Sequence, residues 1–296
     1  MTTLSRQDVK ANSAVETKRE PPCCYKTLVE AGRFPVNGFE MYYEVHGAGK
    51  GTPLVTIPPF LGLANVFPAL IAGRQLIAVE PRGYGRSTDV DRPLSFEETA
   101  SDIVALLKHR TIEQADVFGE SFGGIVALQL AIRYPEFVRR VAVYGTALRK
   151  FAEVTRPESL AEFMALRPDH RSIQFQRESY ERVAPEPADF ATLFNKSGMM
   201  AGIWGGFSHD DLKSIKAPVL IAAGDHDNLG PRFEHHLEML QIIPKAQLAV
   251  VPDAGHFVLN ENPEKLLHLV AAFFDQPIPT VPFATTLTGF HPGETR

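Results

Sequence analysis

Seven short runs of β-forming residues recur along this chain, and stretches of helical period lie between several of them. The runs cover residues 39–45, 53–57, 75–79, 115–118, 138–144, 218–222 and 246–251. Several are apolar at almost every position, as strands buried on both faces must be. Helical spacing predicts helices over 96–109, 122–134, 232–240 and 264–274. In the first of these Ala100, Ile103, Val104, Leu106 and Leu107 share one side, and Ser95 ahead of Phe96-Glu97-Glu98 reads as a capping box. Strands that alternate with helices form βαβ units. The expected class is therefore α/β, with a mostly parallel central sheet flanked by helices on both faces.

One interval breaks the alternation. Between residues 146 and 214 no buried strand is legible, yet bulky apolar residues such as Phe151, Phe163, Phe175 and Phe207 recur. A structureless loop of that length is foreign to a compact domain, so 148–213 is read as a small helical cap inserted between two strands. The core then covers 26–147 and 214–275. Residues 1–25 are polar and lack periodicity, which predicts a flexible tail. Residues 276–296 hold four prolines and no helical period, and are expected to form an extended tail that packs back through Phe283 and Phe290.

Composition narrows the partners. The net charge is −5, and Lys and Arg are scattered without a block that could track a phosphate backbone, so nucleic acid is not expected. The two cysteines, Cys23 and Cys24, are adjacent and cannot form a disulfide framework. That usage, with a polar N-terminal stretch lacking an apolar leader core, points to the cytoplasm. No run approaches the ~20 apolar residues of a membrane span, so no membrane partner is expected. There is no H-x-x-H pair, Walker loop or dinucleotide fingerprint, so neither a cofactor nor a metal is expected. A small-molecule substrate is the expected partner, and the oligomeric state is open, a homodimer included.

The chemistry concentrates at Gly119-Glu120-Ser121-Phe122-Gly123, a G-x-S-x-G pentapeptide. A hydroxyl is a poor nucleophile at neutral pH and must be both activated and exposed. A tight strand-to-helix turn exposes it, at the cost of strained φ/ψ and of small neighbours two positions either side. Chance alone produces this pentapeptide in roughly 5–10% of chains of this length and composition. Its context decides the matter: a β-run ends immediately before it and an apolar helix begins immediately after. Ser121 is therefore read as the nucleophile.

In this arrangement the chain resembles the α/β-hydrolase superfamily, specifically its capped serine hydrolases with esterase, lactonase or C–C hydrolase activity. The resemblance runs from about residue 26 to 274. Glu80-Pro81-Arg82-Gly83-Tyr84-Gly85-Arg86-Ser87 is similar to the family's D-x-R-G-x-G-x-S turn, with Glu80 where Asp is usual. Ala254-Gly255-His256 resembles the terminal A-G-H motif, which implies that His256 is the base. His235 and His236 are the competing histidines, and their place on a helix is read as surface. The family pattern G-x-x-D at Gly224 implies Asp227 as the acid, with Asp225 two residues away as a competitor.

The resemblance also implies an oxyanion hole from two backbone N–H groups. One belongs to Phe122. The other falls at Phe60, because Pro58 and Pro59 stand where the family usually carries His-Gly and proline cannot donate. Met164, Phe194, Met200, Trp204 and Phe257 are the expected pocket residues, suited to an apolar or aromatic substrate. The expected function is hydrolysis of a carboxylic ester or lactone. C–C bond or amide and proline-peptide hydrolysis with the same residues is the alternative, and a slow-turnover, hydrolase-like ligand receptor is the alternative from another class.

Overall fold

The structure is a computed structural model, and it describes residues 3–4, 26–185 and 189–276. Among these residues nine strands form one sheet. They are β1 (Thr3–Leu4), β2 (Leu28–Val36), β3 (Phe39–His46), β4 (Leu54–Ile57), β5 (Leu76–Glu80), β6 (Ala115–Glu120), β7 (Val138–Tyr144), β8 (Val219–Gly224) and β9 (Ala246–Val251). Their order is β1-β2-β3-β5-β4-β6-β7-β8-β9. The first four in that order pair antiparallel. From β5 onward every pairing is parallel.

Alternation along the parallel strands sorts their side chains onto two faces. Val55, Val117, Val141, Val143, Val219 and Ile221 point to one core, where α1 (Phe96–His109), α2 (Phe122–Arg133) and α8 (Phe233–Ile242) cover the sheet. Leu54, Phe118, Ala142, Tyr144, Leu220 and Ala222 point to the other, covered by α9 (Val258–Glu261) and α10 (Glu264–Asp275). Burial on both faces is why these strands are apolar at nearly every position. The expected mostly parallel α/β architecture is what the chain adopts.

Among the described residues, five helices lie between β7 and β8: α3 (Phe151–Val154), α4 (Pro157–Ala165), α5 (Gln174–Glu181), α6 (Phe190–Ile203) and α7 (His209–Ser214). Trp204, Phe207, Leu193 and Phe190 are buried and join this insertion to the α2 side of the core.

Some local features differ from expectation. β2 and β1 are strands that the apolar pattern did not predict. β2 turns into β3 through Asn37-Gly38, both at positive φ (47° and 87°), as a two-residue hairpin requires. Ser95 caps α1 by accepting from the amide of Glu98 at 3.2 Å, but the reciprocal half of a capping box is not made. The Glu98 carboxylate turns instead to Arg82 and Arg92, at 3.3 and 3.6 Å. The expected tails lie outside the described residues apart from Thr3–Leu4, which pair with β2, and Gln276; Phe283 and Phe290 lie outside them as well.

Candidate active site

Ser121 sits in the turn between β6 and α2 with φ 52° and ψ −116°, a conformation that L-residues rarely adopt. The turn closes because its flanks have no side chains. A Cβ on Gly119 would run into the carbonyl of Gly123, and one on Gly123 into the carbonyl of Ile57. The Ser121 amide is tied to the Tyr144 carbonyl across β7 at 2.8 Å, and its own carbonyl accepts from Gly124 at 3.0 Å.

His256 follows β9 in a loop held on several sides. Ala254 donates to Asp225 Oδ1 at 3.2 Å, and the Tyr144 hydroxyl donates to the Gly255 carbonyl. The imidazole then bridges two groups. Its Nε2 lies 3.1 Å from Ser121 Oγ, and its Nδ1 lies 2.8 Å from Asp227 Oδ2. The other carboxylate oxygen of Asp227 accepts from the amides of Leu229 and Gly230, at 3.1 and 2.7 Å. Asp225 faces Ala254 and His226 instead. Of the two candidate acids, Asp227 is the one brought to His256.

Charge is balanced within this group. Burial alone would push the Asp227 carboxyl up, but the His256 hydrogen bond and charge and the two loop amides outweigh it and hold it below the ordinary value. For His256 burial works downward, and the Asp227 hydrogen bond and charge, with a contribution from Glu120, leave it raised. Glu120 itself is 3% exposed and follows Phe118 onto the α10 face of the sheet, opposite Tyr144 in register. Burial pushes it up to about 7, partly offset by His256. From the chain alone Glu120 has no role; its signal is a carboxylate at the end of a buried strand, one residue before Ser121.

The two amides expected to face an oxyanion belong to phenylalanines whose rings touch. Phe122 is the first residue of α2, so its N–H has no intrahelical acceptor. Phe60 lies in a turn closed by the Gly62 amide on the Pro59 carbonyl at 3.0 Å. The Phe60 and Phe122 rings meet edge-on with centroids 5.1 Å apart. Phe163 and Phe194 pack on Phe60 at 5.4 and 5.9 Å, and Phe151 packs on Phe122 at 5.4 Å.

The expected pocket residues separate into distinct places. Phe194 joins the aromatic group around Phe60. Phe257 is 46% exposed, with its ring edge-on to His256 at 5.6 Å. Met200 is buried and lines a small void of ≈ 20 Å³ with Tyr84, Phe96 and Phe122. Trp204 is buried against Phe96, Phe151 and Phe207, so it serves the insertion's core. Met164 is a correction: at 65% exposure it faces outward from α4, while Phe163 beside it supplies the inward ring. His236 is another. It is 1% exposed rather than at the surface. It lines a cavity of ≈ 320 Å³ with Arg156, Asp227, Pro231 and Phe233.

Among the described residues no group of three His, Cys, Asp or Glu side chains could hold a metal ion. No helix among them is long and apolar enough to cross a membrane.

The family model described as "Alpha/beta hydrolase family" matches residues 45–269. Serine hydrolase BPHL of Mus musculus is 29% identical over 252 residues, covering 80% of this chain and 84% of that protein. The 2-hydroxymuconate semialdehyde hydrolase of Pseudomonas sp. (strain CF600) is 29% identical over 257 residues, covering 78% of this chain and 89% of its own. Among solved structures, the enol-lactonase from Burkholderia xenovorans LB400 superposes with a TM-score of 0.66 at 21% identity, over 82% of this chain and 100% of that one. At that identity the likeness is one of fold.

Proposed function

The chain belongs to the alpha/beta hydrolase family, and from that premise we propose that it is a serine hydrolase cleaving a carboxylic ester or lactone of a small apolar or aromatic substrate. The bridge that His256 makes between Ser121 and Asp227 carries this reading. Ser121 Oγ attacks the carbonyl carbon while His256 Nε2 takes its proton. Asp227, ionised and held by two amides, fixes the imidazole tautomer and stabilises the imidazolium. The oxyanion forms against the amides of Phe60 and Phe122. The intermediate collapses, the C–O bond breaks, and His256 returns the proton to the departing alcohol oxygen. Water then attacks the acyl-enzyme by the same route and frees the acid and Ser121.

The substrate class follows from what surrounds the serine. Phe60, Phe163, Phe194 and Phe257 present rings rather than charges, which favours apolar or aromatic groups beside the scissile bond. The helices between β7 and β8 act as a cap over this wall. C–C bond hydrolysis by the same residues is the second reading, favoured by the relative named as a 2-hydroxymuconate semialdehyde hydrolase.

The test is a fluorophosphonate label followed by turnover of esters, lactones, amides and a dienoic diketone, with wild type and Ser121→Ala side by side. Labelling of Ser121 and a loss on the order of 10⁴–10⁶ in kcat in the variant are expected. Near-wild-type turnover by Ser121→Ala would overturn the reading. Turnover of the diketone alone would favour the second, and labelling with a single turnover would favour a receptor.

A further inference from the structure

The loop that carries Asp227 is held from outside the sheet. Residues 225–232 connect β8 to α8, and backbone groups of 227–232 meet segment 153–159 of the insertion. Arg156 donates from Nη1 to the carbonyl of Asp227 at 3.0 Å, and Ser159 Oγ donates to the carbonyl of Asn228 at 2.6 Å. In the other direction the Arg232 amide donates to the Val154 carbonyl at 2.8 Å. Its guanidinium reaches the carbonyls of Thr155 and Glu153 at 3.2 and 3.1 Å. Thr155 and Pro231 form an isolated antiparallel bridge. The ≈ 320 Å³ cavity lies against Asp227 and Pro231 with Arg156 in its wall, so hydrogen bonds hold this side of the loop where packing is thin.

The same corner of the insertion touches the other side of the site. Phe151 on α3 packs against Phe122, and Phe163 on α4 packs against Phe60. One short unit therefore contacts both phenylalanines of the oxyanion pair and the acid loop. The amides that orient the Asp227 carboxylate belong to that same loop. A shift of the loop would carry the carboxylate and its donors away from His256 together. A displacement of ~1 Å is enough to take a 2.8 Å contact out of hydrogen-bond range.

We propose that Arg156 and Ser159 are positioning residues: they clamp the acid loop to the α3–α4 corner, so that Asp227 meets His256 only when that corner is seated over the site. Its consequence for turnover rests on the Ser121–His256–Asp227 reading; its geometry does not.

The test uses the full chain with Arg156→Met, Arg156→Lys and Ser159→Ala. The first readout needs no activity. At acid pH, proton NMR reports the His256 Nδ1–H shared with Asp227 as a far-downfield resonance. Arg156→Met is expected to weaken it or move it upfield, Ser159→Ala to do so less, and Arg156→Lys, which can still donate to the carbonyl, to restore it.

The second readout is the pH dependence of Ser121 labelling and of kcat/KM. The groups facing His256 are Asp227 on the loop, Glu120 at the end of β6 and His236 on α8, with the Tyr144 hydroxyl on the neighbouring carbonyl. Loosening Asp227 removes the largest influence that raises His256, so the acid limb should move to lower pH in Arg156→Met. The kcat should fall about ten- to a hundredfold with KM little changed. A wild-type resonance and acid limb in Arg156→Met overturn the proposal. Should that variant unfold, an unchanged resonance in Ser159→Ala overturns it instead. Failure of the wild type to label at Ser121 would sink the hydrolase reading and leave the NMR test of the clamp standing.

Discussion

Asp227 Oδ2 lies 2.8 Å from His256 Nδ1, while Asp225, two residues upstream, has its Oδ1 on the amide of Ala254. The two carboxylates share a loop and serve different partners. Asp227→Asn should remove the orienting acceptor and lower kcat by about 10⁴-fold. Asp225→Asn keeps an acceptor for Ala254 and should cost less than about tenfold. Steady-state kinetics on one ester decides between them, and equal losses would refute the division of labour.

Glu120 predicts a shift in pH profile. Its carboxylate, charged above about 7, helps to hold His256 up, and Glu120→Gln removes that charge while keeping the shape. The base must be neutral to act, so the acid limb of kcat/KM follows His256. That limb should move to lower pH in Glu120→Gln. An unmoved or raised limb would show that Glu120 does not act on the imidazole.

His236 predicts a stability change with pH. Burial holds it down to about 4, against an ordinary value of 6.5. Between these values the unfolded chain binds a proton that the folded chain refuses, so stability falls as pH drops from about 6.5 toward 4. The full effect is about 3 kcal/mol. His236→Leu removes the titration of this buried imidazole. Denaturant melts at pH 7 and pH 5 should show a smaller acid loss in the variant than in the wild type.

Gly123 predicts a cost in both stability and reactivity. A Cβ there meets the carbonyls of Ile57 and Pro58, so Gly123→Ala must push the 58–60 loop away from α2. Thermal melts should show a loss of about 1–3 kcal/mol, and Ser121 labelling should slow because the Phe60 amide moves with that loop. Wild-type labelling would show that the loop's position is immaterial.

Much of the sheet was legible in the chain because β4, β5 and β8 are buried along their whole length and almost wholly apolar. β2 was not: its exposed alternate positions and Pro35 dilute the pattern, and only Asn37-Gly38 marked the hairpin. Ser121 and His256, which the fold brings to 3.1 Å, each stand in a short motif beside a strand end. Which carboxylate meets His256 was ambiguous because Asp225 and Asp227 occupy the same loop, and only the path of that loop separates them. Met164 was misplaced because adjacent residues on a helix point about 100° apart, and the insertion's packing decides which one faces inward. The Arg156 contact spans 71 residues and has no local pattern at all.

The clamp between segment 153–159 and loop 227–232 bears on how this scaffold can be altered. The insertion leaves at the end of β7 and returns before β8, so its exchange need not disturb the sheet's hydrogen-bond ladder. Such a graft would look modular by topology. It would still have to bring donors for the carbonyls of Asp227 and Asn228, because the original cap takes Arg156 and Ser159 away with it. Under the clamp proposed above, the insertion and the placement of Asp227 would be inherited together, and a chimera chosen only for the rings its insertion brings would lose rate before it lost binding.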